Sequence, residues 1–156
     1  MPKAYILVGV PGSGKSTWIS KAPVDWNNTV IASTDTYVEQ QAKKQGKTYS
    51  EVFADVMPAA VYHMANTVVN AVKKNQDIIW DQTSTTRLTR AKKVRMLPDT
   101  YEKIAVVFPT PSPAELERRL STRSGKNIPK DVLQGMINGW QEPSEDEGFD
   151  KIVHVG

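Results

Sequence analysis

The chain has 156 residues, which is one domain's length and enough to bury roughly two-thirds of the unfolded surface without covalent staples. It contains no cysteine, which excludes a disulfide scaffold, a thiolate zinc site and a cysteine nucleophile, and matches a reducing compartment. The net charge of +3 divides unevenly, with +7 on residues 1–140 and −4 on residues 141–156.

The opening MPKAYILVGVPGSGKST has an apolar run too short for a signal peptide or a membrane span, so a soluble cytoplasmic protein with no membrane partner is expected. Residues 3–9 read as a buried strand entering a glycine loop, and residues 15–21 as the helix that leaves it. A short β-branched strand is predicted at 29–33 and a polar helix at 36–44, closed near Gly46. Thr48 and Glu51 have the spacing of a capping box. The apolar residues Val52, Phe53, Val56, Val61, Met64, Val68 and Val72 then recur at helical spacing, with Pro58 expected to kink or split the helix. Strand 77–81 ends on a carboxylate, helix 86–97 carries a basic cluster, and 102–109 is a fourth strand. Ser112 caps a helix with proline at its first position, running to about residue 120. Residues 121–127 form a polar loop, 129–140 a further helix and 151–155 a last strand.

Strands that alternate with helices, each strand a short apolar run, predict an α/β fold with a parallel sheet of about five strands and helices on both faces. No repeat, low-complexity stretch or linker divides the chain, so 1–156 is expected to be a single domain. Its chemistry belongs at the carboxyl ends of the strands.

The strongest motif lies there. Gly9-Val-Pro-Gly-Ser-Gly14-Lys15-Ser16 is a complete G-x-x-x-x-G-K-[ST] between a predicted strand and a predicted helix. Its glycines let backbone N–H groups turn inward on phosphate oxygens, Lys15 reaches the β and γ phosphates, and the Ser16 hydroxyl ligates Mg²⁺. The loop therefore predicts binding of a nucleoside triphosphate through Gly9, Pro11, Gly12, Ser13, Gly14, Lys15, Ser16 and Thr17.

Transfer of its phosphoryl group needs an in-line acceptor, a carboxylate to take the proton and cations around the transferred group. Asp35, just beyond the second strand, is the candidate base, the alternative being a cap on the following helix. Asp81 ends the third strand and reads as a Mg²⁺-water ligand, a substrate-side anchor or a turn cap. Thr83 reads as a phosphate contact or the start of a helix. Arg119 and Arg123, four residues apart, suit a lid over the phosphates at about 121–128, whereas Arg118 equally suits a solvated helix face. Arg87, Arg90, Lys92, Lys93 and Arg95 form either a solvated face or a polyanion site, with Arg87 and Arg90 as candidate substrate contacts. Trp18 and Trp80 read as core, Trp26 and Trp140 stay open, and His63 and His154 have no ligand-like spacing.

GVPGSGKSTW, STDTY, IIWDQTS and RRLSTRSGKNIPKDVL together resemble the kinase domain of polynucleotide 5′-hydroxyl kinases of the T4 phage type. The ending WQEPSEDEGFDKI resembles that of the kinase domains in animal polynucleotide kinase–phosphatases. The resemblance spans nearly the whole chain and implies a P-loop kinase fold with a small arginine-bearing lid. It makes Asp35 the base toward a nucleic-acid 5′-OH, Lys15 and Arg123 the γ-phosphate cations, Ser16 the Mg²⁺ ligand, Arg119 a second lid cation and Asp81 a substrate-side aspartate. Two positions depart from the phage pattern, Thr34 and Val38, where those enzymes carry arginines. Arg87 or Arg90 is expected to supply the missing charge. No DxDGT-like motif occurs, so no 3′-phosphatase activity is expected.

The resulting expectation is ATP- and Mg²⁺-dependent phosphoryl transfer to a nucleic-acid hydroxyl, foremost the 5′-OH of DNA or RNA. The alternatives are another hydroxyl acceptor (a modified base in DNA, a nucleoside or a small metabolite) and a nucleotide-binding switch. Oligomeric state stays open.

Overall fold

The computed structural model describes residues 1–123 and 125–156. In chain order the elements are β1 (Lys3–Val8), α1 (Lys15–Ser20), β2 (Thr29–Ala32), α2 (Asp35–Gln45), α3 (Tyr49–Lys73), β3 (Asp77–Trp80), α4 (Arg87–Arg95), β4 (Glu102–Val107), α5 (Pro113–Ser121), α6 (Lys130–Asn138) and β5 (Lys151–His154), with short 3-10 turns at Trp26–Asn28 and Glu145–Glu147. The strands form one parallel sheet in the order β2-β3-β1-β4-β5. The predicted α/β fold with a five-stranded parallel sheet is therefore the observed one.

Both faces of the sheet are covered, which is why its strands read as unbroken apolar runs. Successive residues of β1 point to opposite faces. Ala4 and Ile6 enter a layer with Met64, Val68 and Ala71 of α3, Ile78, Trp80, Leu97, Tyr101 and Phe149. Tyr5 and Leu7 enter the other layer with Ile79, Ile104, Val106 and Phe108, against which Trp18 and Ile19 of α1 pack. The edge strands are wetter: Ile31 of β2 and Val153 of β5 are 40% and 44% exposed.

The Thr48–Glu51 capping box opens α3 with both reciprocal hydrogen bonds formed. Pro58 does not split this helix, which runs continuously for 25 residues. The missing amide and ring clash cost about 3 kcal/mol, but the helix is held on both sides of the proline. Val52 and Ala60 pack with Val38 and Ala42 of α2, while Met64, Val68 and Ala71 lie against the sheet. Phe53 and Val61, expected on the apolar face, are 42% and 47% exposed.

The Tyr101 ring is 1% exposed, and its hydroxyl donates at 2.6 Å to the Gln76 carbonyl, with the Ala71 carbonyl at 3.2 Å. These contacts tie the end of α3 to the start of β4. Tyr101→Phe removes the buried hydroxyl's bond to the Gln76 carbonyl where α3 meets the sheet and is expected to cost about 1–2 kcal/mol in a urea unfolding titration.

Candidate functional site

The sheet order reverses at β1, whose neighbours are β3 and β4, so a crevice opens beyond its carboxyl end. The glycine loop fills one side of it. Gly9 N–H donates to the Thr83 carbonyl at 2.9 Å, pinning the loop to the exit of β3. Gly12 and Gly14 have φ of +82° and +105°. A Cβ on Gly12 meets Leu116 and Leu120 at 3.3 Å. A Cβ on Gly14 meets nothing within 4 Å, so its left-handed backbone, and not space, calls for glycine. No side chain caps α1 at Gly14, which leaves the first amides of that helix unclaimed by side chains.

Lys15 folds back on the loop, its Nζ donating to the Gly9 carbonyl at 2.9 Å and the Val10 carbonyl at 3.0 Å. Burial pulls its ammonium down to about 8. The carboxylates of Asp81 and Asp35 work against the shift and Arg123 adds to it. Burial likewise pushes the Asp81 carboxyl up, with Lys15 opposing and Asp35 reinforcing. Lys15, Asp35, Asp81 and Arg123, distant in sequence, thus form one electrostatic group.

Asp35 is the first residue of α2, with Thr34 at the N-cap position. Its carboxylate accepts the Tyr49 hydroxyl at 2.5 Å, and Lys126 Nζ lies 4.0 Å from its other oxygen while pairing with Glu39 at 2.5 Å. Among the described residues the Asp35 carboxylate takes no helix amide, so the capping alternative is not what it does. Burial, followed by the Asp35 hydrogen bond and charge, holds the Tyr49 phenol far above its ordinary value. Lys126 also lies 4.8 Å from the Tyr49 ring centroid.

Gly125 and Asn127 lean on the start of α3. Ser50 N–H donates to the Gly125 carbonyl at 3.1 Å, and Asn127 N–H donates to Ser50 Oγ at 2.9 Å. Ser124, within the expected lid at 121–128, lies outside the described residues. Arg119 reaches the glycine loop, donating from Nη1 to the Gly12 carbonyl at 2.8 Å and from Nε to Glu115 at 2.8 Å. Arg118 and Arg119, by hydrogen bonding and charge, hold the Glu115 carboxyl down to about 2. Arg118 is spent on that pair at the surface, which settles it as a solvated helix residue.

A single cleft of about 1540 Å³ is lined by Pro11, Gly12, Ser13, Gly14, Lys15, Ser16, Thr17, Asp35, Asp81, Thr83, Arg119 and Arg123. Of the sequence-predicted residues, Gly9 lies beneath the cleft, buried and bonded as described. Arg87 and Arg90 do not line it, so the fold does not bring them together with the other expected site residues. Arg90 is 0% exposed; its guanidinium donates to both oxygens of Glu147 at 2.8 and 3.2 Å and to the carbonyls of Ser84 and Gln141. Arg87 donates to Asp146 at 3.0 Å and Ser144 at 2.7 Å. The 3-10 turn Glu145–Glu147 folds onto α4, so the −4 terminal stretch neutralises part of the basic cluster from within.

Sequence reasoning missed Tyr49, which shares no motif with Asp35 and meets it only because α2 and α3 pack as a hairpin. Lys126, inside the expected lid loop, was not singled out either, since nothing in the sequence signals its carboxylate partners. Phe53 and Met57 of α3 and Val132 and Met136 of α6 add an apolar wall to the cleft. Their helical spacing is equally that of a core face. Trp80 is core as expected, and Trp18 packs on Tyr5 and Phe108 while one side reaches the cleft. Among the described residues no cluster of three or more His, Cys, Asp or Glu groups is placed to hold a metal, and no helix is long and apolar enough to cross a membrane.

A phosphate loop at the end of the central strand, with carboxylates at the exits of the two strands on one side, is a P-loop fold of the kinase type. Residues 5–143 match the AAA domain family, and the chain belongs to that family. Among solved structures it is similar to a chain of the Pnkp1/Rnl/Hen1 RNA repair complex, at 25% identity over 88% of this chain with a TM-score of 0.67. It is also similar to a fungal RNA kinase (17% identity, all of this chain, TM-score 0.58) and to a gluconokinase from Sinorhizobium meliloti 1021 (17%, 99% of this chain and 82% of that one, TM-score 0.56). The chain spans less than half of the RNA-repair and RNA-kinase chains it matches, 43% and 38% respectively.

Proposed function

We propose that this protein is an ATP-dependent phosphotransferase whose acceptor is a hydroxyl of a nucleic acid, foremost a 5′-OH end, and that 1–156 acts as one kinase unit with 121–128 as its lid. The observation that carries the reading is the meeting of Lys15, Asp81, Arg123 and Asp35 in one cleft beyond β1, β2 and β3. The loop suits a triphosphate: Gly12 and Gly14 hold left-handed backbone, no side chain caps α1, and the Lys15 ammonium rests on the Gly9 and Val10 carbonyls. The donor set suits Mg²⁺, which keeps its waters and is held by few protein oxygens plus phosphates. Ser16 would ligate it, with Asp81 acting through water, and its chemistry is neutralisation of phosphate charge.

The protein's own residues then divide the work. Backbone amides of 12–17 orient the phosphates, and Lys15, Arg119 and Arg123 offset the charge on the transferred group. Asp35 accepts the proton of the attacking hydroxyl as the acceptor oxygen bonds to the γ-phosphorus and ADP departs. The Tyr49 hydroxyl and Lys126 hold the Asp35 carboxylate in place until then. The apolar wall of Phe53, Met57, Val132 and Met136 offers a flat-faced acceptor surface to stack on.

Incubation with γ-labelled ATP and a 5′-OH oligonucleotide is the test. Label on the oligonucleotide supports the proposal, while labelling only of other acceptors removes the nucleic-acid claim. A second reading, transfer to a small hydroxyl compound, draws on the burial of Val38 and Thr34 at 0% and 7% exposure and on the loss of Arg90 as a phosphate contact. The gluconokinase likeness supports the fold for it. A polyanionic acceptor makes binding fall steeply with added salt, and a small neutral acceptor does not.

A further inference from the structure

The β3–α4 connection, residues 81–86, and the first turns of α4 build one wall of the cleft and hold two polar groups that have no partner among the described residues. Lys93 is 7% exposed and its side chain lines the cleft. Among the described residues its Nζ makes no hydrogen bond and no ion pair; it stands 5.7 Å from the Trp80 ring centroid. Ser84 is 3% exposed and lines the same wall, and among the described residues its enclosed Oγ has no partner. Its backbone is left-handed at φ +47°, a conformation unusual outside glycine, and its carbonyl is clamped by Arg90 at 2.9 Å.

Each of these is costly as it stands. A largely buried ammonium without an anion loses much of its hydration with no ion pair in return, and an enclosed hydroxyl without a partner loses its own on a smaller scale. Burial, followed by the charges of Lys92 and Arg90, pulls Lys93 down to about 8. The Trp80 face compensates only in part. Arg87 and Arg90 are spent on carboxylates, and within the basic cluster Lys93 is the member that lines the cleft. The charges acting on it come from its own helix, whereas Lys15 responds to Arg123, Asp81 and Asp35. Lys93 is therefore a cation separate from those beside the glycine loop, past Asp81 on the exit of β3.

We propose that Lys93 and Ser84 form an anion subsite on the acceptor side of the cleft, which holds a phosphate group carried by the acceptor. This rests on the kinase reading of the cleft for the identity of the ligand as acceptor. The phosphate is either a phosphodiester of a nucleic-acid strand or a monophosphate on a small hydroxyl compound. In the first case the subsite supplies the substrate-side charge that Thr34, Val38, Arg87 and Arg90 do not.

Calorimetric binding with the full chain, saturated with a non-hydrolysable ATP analogue and Mg²⁺, tests this on three probes: a 5′-OH dinucleotide, the matching nucleoside without phosphate, and a sugar monophosphate. Lys93→Met keeps the stem on Trp80 and removes the charge. It is expected to weaken phosphate-bearing probes about tenfold, leave the nucleoside unchanged and be rescued in Lys93→Arg. Lys93→Gln repeats the test should the Met variant fold poorly. Preferential binding of the dinucleotide identifies the strand as the source, and preferential binding of the sugar monophosphate identifies a small acceptor, with the subsite intact in both. Equal weakening of all probes, no weakening of any, or no phosphate-dependent binding by the wild type overturns the subsite. The kinase reading is scored separately, by whether label from ATP reaches any acceptor at all.

Discussion

Asp35→Asn is expected to reduce phosphoryl transfer by ~10²–10⁴-fold, with nucleotide affinity nearly unchanged. Asparagine matches the shape of the carboxylate and still accepts the Tyr49 hydroxyl, and Lys126 keeps its 2.5 Å pair with Glu39. The local hydrogen bonding therefore survives, and what disappears is the capacity to take a proton from the acceptor hydroxyl. Single-turnover transfer from labelled ATP, with nucleotide affinity measured in parallel, separates the roles. A loss of affinity as large as the loss of rate would move Asp35 from proton acceptor to metal or nucleotide ligand.

The second large effect is on stability. Glu147→Ala leaves the Arg90 guanidinium fully enclosed beside two carbonyls but without its carboxylate, and is expected to destabilise the fold by about 3–5 kcal/mol. At this chain length that lowers the thermal midpoint by roughly 10 °C. The pair has side-chain exposures of 0% and 4%, so solvent screens it little. The comparison variant is Asp146→Ala, whose partner Arg87 is 45% exposed and whose removal should cost under about 1 kcal/mol. Equal midpoints for the two variants would show that the Arg90 cluster contributes no more than a surface pair. Because Arg90 also clamps the Ser84 carbonyl, Glu147→Ala should loosen the acceptor-side wall before the glycine loop.

These two residues mark where local and long-range information part. Asp35 was legible because a carboxylate just beyond a short β-branched strand, in a chain that opens with a phosphate loop, has few other places to be. Glu147 was legible only as one acid in an acidic tail. A charge run says nothing about what folds onto it, and its partner Arg90 read as free for the same reason. The difference is physical: strand exits and loop glycines act within a few residues of chain, whereas the neutralisation of α4 depends on residues 51 to 59 positions away. Pro58 shows the converse. Its local penalty is real, but packing of α3 against α2 and the sheet exceeds it, so the helix continues.

By itself the sequence determined the parallel α/β architecture, the glycine-rich phosphate loop, and the candidate carboxylates at the exits of β2 and β3. Apolar periodicity and backbone conformational demands are local and survive without knowledge of the packed state. Only the tertiary structure decided which charges are available. It spent Arg87 and Arg90 on the terminal acids, set Tyr49 and Lys126 on Asp35, and left Lys93 in the cleft wall without an ion pair among the described residues. Availability of a charge depends on burial and partners, and those are set by which distant segments the fold brings into contact.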